Sequence, residues 1–174
     1  SIPATTSGNY LGVDYWQLGG PDLPGAFHNP TLVTNLNYGT AIFEPGMLIL
    51  HPGSRGEYSI ARFTAPVAGS YTFSATFIGQ DQIIGTTTDV HVLVSSGPPV
   101  LSALIHGFHA TASTGLVTVS LQPGNTIDAA VGYGSNSQYY GDSTGLDFRV
   151  EVVPAPCSAA ILGLAGLVGL RRRR

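Results

Sequence analysis

Apolar and polar residues alternate with a period of two along most of this chain. Before residue 153 no segment holds helical spacing over three turns. Tyr71-Thr72-Phe73-Ser74-Ala75-Thr76-Phe77 is the clearest case, with rings and methyls on one face and hydroxyls on the other. Val90, Val92 and Val94 alternate with Asp89, His91 and Leu93, and Val117, Val119 and Leu121 alternate with Thr118 and Ser120. Ile127, Ala129, Val131 and Tyr133 follow, then Leu146, Phe148, Val150 and Val152 opposite Asp147, Arg149 and Glu151. Shorter candidates are Leu11–Leu18, Thr40–Phe43, Met47–His51, Tyr58–Thr64 and Val100–His106. Pro and Gly fall between these runs. Gln122-Pro123-Gly124-Asn125 reads as a type II turn joining two strands in a hairpin, and Ala65-Pro66…Gly69 and Gly97-Pro98-Pro99 are further breaks. About eight to ten short strands at this spacing predict an all-β fold, an antiparallel β-sandwich of the jelly-roll type.

The pattern divides the chain in three. Residues 37–153 carry the sandwich. Residues 1–36 are an extended arm with loops that join it, since Ser1 to Gly8 is polar and Gly19 to Pro30 is rich in breakers. Residues 154–174 are a short apolar segment, expected to be helical, that ends in Arg171-Arg172-Arg173-Arg174. Unpaired sheet edges accept strands from other chains, so the arm suggests self-association by strand donation.

Charge is concentrated at the end. Up to residue 153 the chain has three arginines, no lysine and ten Asp and Glu, a net charge of −7. Such a domain lacks the cations that grip phosphate backbones or anionic headgroups, which argues against nucleic acid and lipid surfaces as partners. Cys157 is the one cysteine and lies in the tail, so the domain has no disulfide and depends on burial. The chain starts at Ser1, which is read as the mark of a removed secretory signal.

From Ser158 to Leu170 the apolar stretch holds 13 residues, short of the roughly 20 that cross a bilayer core. Terminal arginines stay on the cytoplasmic side and place the preceding domain outside. Val153-Pro154-Ala155-Pro156, then repeated Gly-Leu, then the arginine cluster resembles the PEP-CTERM sorting signal of exported bacterial proteins. The resemblance covers Val153 to Arg174 and departs from the common pattern at Ala155, where glutamate is usual. It implies an exosortase-type enzyme as partner, with Pro154, Ala155, Pro156 and Arg171 to Arg174 as the signal. It also implies brief membrane contact and a destination at the cell surface or extracellular matrix. A plain C-terminal membrane anchor is the alternative.

The order Phe63-Thr64-Ala65-Pro66…Gly69-Ser70-Tyr71-Thr72-Phe73, then Thr88 to Val94, then Gly124-Asn125-Thr126-Ile127-Asp128 resembles secreted jelly-roll domains of the carbohydrate-binding-module type. The match spans roughly residues 45–153, and its marker residues set turns.

Chemistry is sparse. The chain has no Gly-x-Ser-x-Gly elbow, no His-Glu-x-x-His, no phosphate-cradling Gly-x-x-x-x-Gly-Lys and no lysine, so it does not read as an enzyme. Asp89 and His91 share a strand face, but third and fourth zinc ligands are not evident nearby. Calcium, which takes carboxylate and carbonyl oxygens, fits the polar loop from Gly132 better. Asp142, Asp147 and Asp81 are its candidate ligands, with turn-capping as the alternative. Tyr139 and Tyr140 in that loop, together with Trp16, are candidates for stacking on sugars. Two roles follow. One is a non-enzymatic surface or matrix protein, with a filament subunit built by N-terminal strand donation as one form of it. The alternative is a carbohydrate-binding module that retains matrix polysaccharide.

Overall fold

The computed structural model describes residues 3–20 and 22–154. The expected helical segment, with Ala155, Pro156 and the four arginines, lies outside these residues. Fourteen strands run through the described part: β1 (Thr6–Tyr10), β2 (Val13–Gln17), β3 (Gly25–His28), β4 (Asn35–Asn37), β5 (Ala41–Phe43), β6 (Leu48–His51) and β7 (Ser59–Thr64). They continue with β8 (Gly69–Gly79), β9 (Asp89–Val94), β10 (Pro99–Leu104), β11 (Thr111–Ser113), β12 (Val117–Leu121), β13 (Thr126–Gly132) and β14 (Thr144–Val152). The large sheet has the order β1-β2-β3-β6-β14-β8-β11, with β12 also paired to β8. The second sheet has the order β10-β9-β13-β7, and β4 and β5 form a separate hairpin. From β6 onward the chain keeps crossing between the two large sheets, and every pairing is antiparallel. This is a β-sandwich of jelly-roll type.

The alternation read from the sequence explains why the sheets stack. Tyr71, Phe73, Ala75 and Phe77 of β8 are at most 1% exposed and meet Val90, Val92, Ile127, Ala129 and Val131 of the facing sheet. Each such side chain removed from water contributes about 1.5–3 kcal/mol. A second, smaller cluster lies on the outer face of the large sheet. There the β4–β5 hairpin covers Val13, Phe27 and Ile49 with Ala41 and Phe43. Phe27 and Phe43 pack at 6.0 Å between centroids.

Two expectations are corrected. Gln122 to Asn125 does form the tight turn, with Gly124 at φ +86° and the Asn125 N–H donating to the Gln122 carbonyl at 2.9 Å. It does not close a hairpin, because β12 pairs with β8 while β13 pairs with β7 and β9. Leu121 and Ile127 are both buried in the core, so the turn is a corner between sheets. Nor are residues 1–36 extended and unpaired from Thr6 onward. Thr6–Tyr10 pairs with Val13–Gln17 over five positions, around a turn in which Leu11 and Gly12 both have positive φ. That is the geometry of a type I′ hairpin, which matches strand twist. Thr6 to Tyr10 thus form the edge strand of the large sheet.

Candidate functional site

Strand register brings several ends together. Gln17 stands opposite Gly25, Gly25 opposite His51, Leu50 opposite Thr144 and Thr144 opposite Gly79. The loops leaving these ends therefore gather at one corner of the large sheet. The β4–β5 hairpin is tied there as well. The Ile42 N–H donates to the Gln80 carbonyl at 2.9 Å, and the Gln82 N–H donates to the Thr40 carbonyl at 3.0 Å. Between these elements lies a cleft of about 310 Å³ whose lining includes Gln17, Asp22, Tyr38, His51, Tyr139 and Tyr140.

Tyr139 and Tyr140 form its wall. Their ring centroids are 4.3 Å apart with a 34° interplanar angle, and His51 meets Tyr139 edge-on at 5.9 Å. The Tyr139 hydroxyl donates to Asp22 Oδ1 at 2.8 Å, which fixes that ring, while Tyr140 is 63% exposed. Burial lowers the pKa of His51, so its imidazole is neutral at pH 7, and its Nδ1 lies 2.9 Å from the Pro52 carbonyl. Tyr38 stands 73% exposed at the mouth, held at φ +52° beside Gly39 at φ +76°. A bulky residue in that backbone region is unusual and tends to occur where a site requires it. Tyr38, His51 and Asp22 were not singled out from the sequence. The Asn37-Tyr38-Gly39 turn was the available signal, since Tyr-Gly at the centre of a tight hairpin projects the ring outward.

The acids expected to bind calcium are not brought to one place. Asp81 is 1% exposed, and its Oδ1 accepts from the N–H groups of Ile83, Ile84 and Gly85 at 3.0, 2.6 and 3.3 Å. Burial alone would raise its pKa, but the Thr40 hydroxyl and these donors hold it below the usual range. Its carboxylate caps a turn. Asp147 is on an exposed position of β14 and accepts from Arg149 Nε at 3.1 Å. Asp142 is fully buried. Its Oδ1 accepts from the Thr87 N–H at 2.8 Å and the Thr87 hydroxyl at 3.0 Å, while Oδ2 has no hydrogen-bond partner among the described residues. Among the described residues no three His, Cys, Asp or Glu side chains gather as a metal cluster. Trp16 also lies apart from the two tyrosines. It lines two other hollows, of about 450 and 580 Å³.

Burial raises the pKa of Asp142 to about 6, against the pull of the Thr87 donors and with repulsion from Asp89 and Asp81. A folded carboxylate with a raised pKa binds its proton more tightly than the unfolded chain does. Its contribution to stability therefore falls as pH rises from about 4 through 6. His51 opposes this, because its lowered pKa removes stability as pH falls below its unfolded value. The comparison with Asp142→Asn isolates the carboxylate. The melting temperature of the variant relative to the parent is expected to rise by several degrees between pH 4.5 and 7.5. A difference that stays constant with pH, in thermal melts at both values, would refute the assignment.

No protein-family model matches the chain, and no curated protein matches it. Solved structures give remote likenesses. A family 35 carbohydrate-binding module from Clostridium thermocellum is 15% identical over 81% of this chain and 92% of its own, at a TM-score of 0.39. A second family 35 module, from an environmental isolate, is 12% identical over 71% and 88%, at 0.37. A β-glucosidase from Kluyveromyces marxianus, in complex with glucose, is 14% identical at 0.32; the match covers 71% of this chain but 13% of the enzyme. At these scores the likenesses carry no argument about the site.

Proposed function

We propose that this domain binds neutral carbohydrate in the Tyr139–Tyr140 cleft and holds extracellular polysaccharide. The observation that supports this is a pair of tyrosines 4.3 Å apart, one anchored by Asp22 and the other open to solvent, above a cleft edged with polar groups. A pyranose has an apolar C–H face and a rim of hydroxyls. The rings suit the face, while Gln17, Asp22 and Ser143 offer donors and acceptors to the rim. The lining has carboxylates but no arginine or lysine, which disfavours acidic sugars. Binding without cleavage fits the commitment of Asp22 to Tyr139 and of Asp81 to its turn. The domain is exported in this reading, and the tail acts as a sorting signal.

Titration calorimetry against neutral and uronic-acid polysaccharides is the direct test. Saturable heat with a neutral glycan and little with an acidic one is expected; the reverse preference would overturn the assignment of the cleft. For the tail, mass spectrometry of surface-localised protein should show loss of the segment that begins near Pro154 to Cys157. Recovery of intact Arg171 to Arg174 would overturn processing.

A further inference from the structure

The outer face of the four-stranded sheet carries a hydrogen-bonded relay that the carbohydrate reading does not use. Asp89 and His91 alternate outward on β9, and Ser102 of β10 stands directly opposite His91. Ser102 Oγ is 3.1 Å from His91 Nδ1, and His91 Nε2 is 2.9 Å from Asp89 Oδ2. Asp89 is itself fixed. The Tyr58 hydroxyl donates to Oδ2 at 2.5 Å and the Gly134 N–H donates to Oδ1 at 2.8 Å. Burial would raise the pKa of Asp89, but these donors and His91 hold it below the usual range. The ionised carboxylate therefore accepts a hydrogen bond from Nε2–H, which leaves the Nδ1 lone pair facing the serine hydroxyl.

The surrounding backbone makes room for this arrangement. Gly132 stands opposite Asp89 in the adjacent strand, and a Cβ there would come within 2.4 Å of Asp89 Oδ1 and 2.7 Å of the Tyr58 ring. Any side chain at 132 would displace both groups. The ladder also fixes how Ser102 is presented. The Ile105 N–H donates to the Thr88 carbonyl at 2.8 Å. Counting back in register, Ser102 and His91 form a non-hydrogen-bonded pair, whose side chains approach closely. The Ser102 N–H then points away from β9. Since β10 is the edge of its sheet, that N–H faces outward beside an exposed hydroxyl.

We propose that Ser102 is a nucleophile that accepts acyl groups from small esters, with His91 as its general base and Asp89 as the residue that positions His91. Ser102 Oγ forms a bond to the ester carbonyl carbon as its proton passes to His91 Nδ1. The C–O bond to the alcohol then breaks, and His91 returns the proton to the departing alkoxide. Water then loses a proton to the same imidazole as its oxygen bonds to the acyl carbon. The bond from that carbon to Ser102 Oγ breaks, His91 returns the proton to Oγ, and the acyl group leaves as a carboxylic acid. The Ser102 N–H is the donor available to the developing oxyanion. It is a single donor on an open face, so turnover is slow and the acyl group small, while the alcohol portion extends into solvent.

A fluorophosphonate probe reads the first step, with loss of fluoride and formation of a phosphonyl ester on Oγ. Full-length protein treated with the probe is expected to gain one adduct, mapped by peptide mass spectrometry to Ser102, and to release nitrophenol from p-nitrophenyl acetate. Ser102→Ala should remove both signals without a change in melting temperature. His91→Gln should slow labelling about a hundredfold. Asp89→Asn should also slow it, provided the melt shows a folded protein. Absence of an adduct on the folded parent, labelling at another residue, or an unchanged rate in His91→Gln would overturn the proposal. Each would leave a purely structural ladder in its place.

Discussion

Replacing Tyr139 and Tyr140 together by alanine is expected to abolish retention of polysaccharide by the folded domain. Aromatic anchors at the centre of a binding site typically lose about 2 kcal/mol or more on truncation, roughly thirtyfold in affinity for each ring. The two should differ in character. Tyr140 is exposed and packs on Tyr139, so Tyr140→Ala should weaken binding with little change in melting temperature. Tyr139 holds Asp22 and packs against His51, so its removal should also loosen the cleft wall. Tyr139→Phe separates the two contributions, since it keeps the ring and loses the anchor. Trp16→Ala, away from this wall, should leave affinity unchanged. Equal affinity in the double variant and the parent, by calorimetry with the same glycan, would move binding elsewhere on the domain.

Gly79→Ala is expected to be among the most damaging single-atom changes in the chain. Gly79 ends β8 where the segment around Gly107 crosses it. The Gly79 N–H donates to the Ala110 carbonyl and the His109 N–H donates to the Gly79 carbonyl, both at 2.9 Å. A Cβ at 79 would stand 2.2 Å from the Gly107 carbonyl oxygen and 3.1 Å from Thr86. The obstacle is backbone, which cannot swing aside as a side-chain tip can. A cost of about 3 kcal/mol is expected, or roughly 10 °C in melting temperature for a domain of this size. Gly69→Ala, at the other end of β8, meets its first neighbour at 3.7 Å and should change the melt little. Similar melts for the two variants would show that the Gly107 segment yields.

How much of this was legible in the sequence depends on how each strand earns its place. Tyr71 to Phe77, Val90 to Val94 and Leu146 to Val152 alternate because one face is core and the other is solvent, and that pattern survives without tertiary knowledge. β3 does not. Its four residues Gly25-Ala26-Phe27-His28 lie in a stretch full of Gly and Pro, yet it occupies an interior position between β2 and β6. Its strand conformation comes from neighbours on both sides, which no local pattern records. The site shows the same division. Tyr139 and Tyr140 stand out as adjacent aromatics in a polar loop, with packing of that loop as the alternative, and both line one cleft. His51 and Asp22 do not, since their role comes from the register that places strand ends side by side. The acids lie apart from one another for a related reason. Spacing along the loop put Asp142 and Asp147 close together, but the start of β14 falls between them and leaves one buried and the other in solvent.

The position of β14 also governs when the molecule can close. The last strand described is an interior member of the large sheet, paired over nine positions with β8, some seventy residues earlier, and with β6 on its other side. Until residue 152 is available, β8 lacks this partner and the hydrophobic faces of both sheets stay open. Contacts so distant in sequence make for slow, late-closing folding. A chain made from its N-terminus would thus hold its two sheets unsealed until nearly all of the domain had been synthesised.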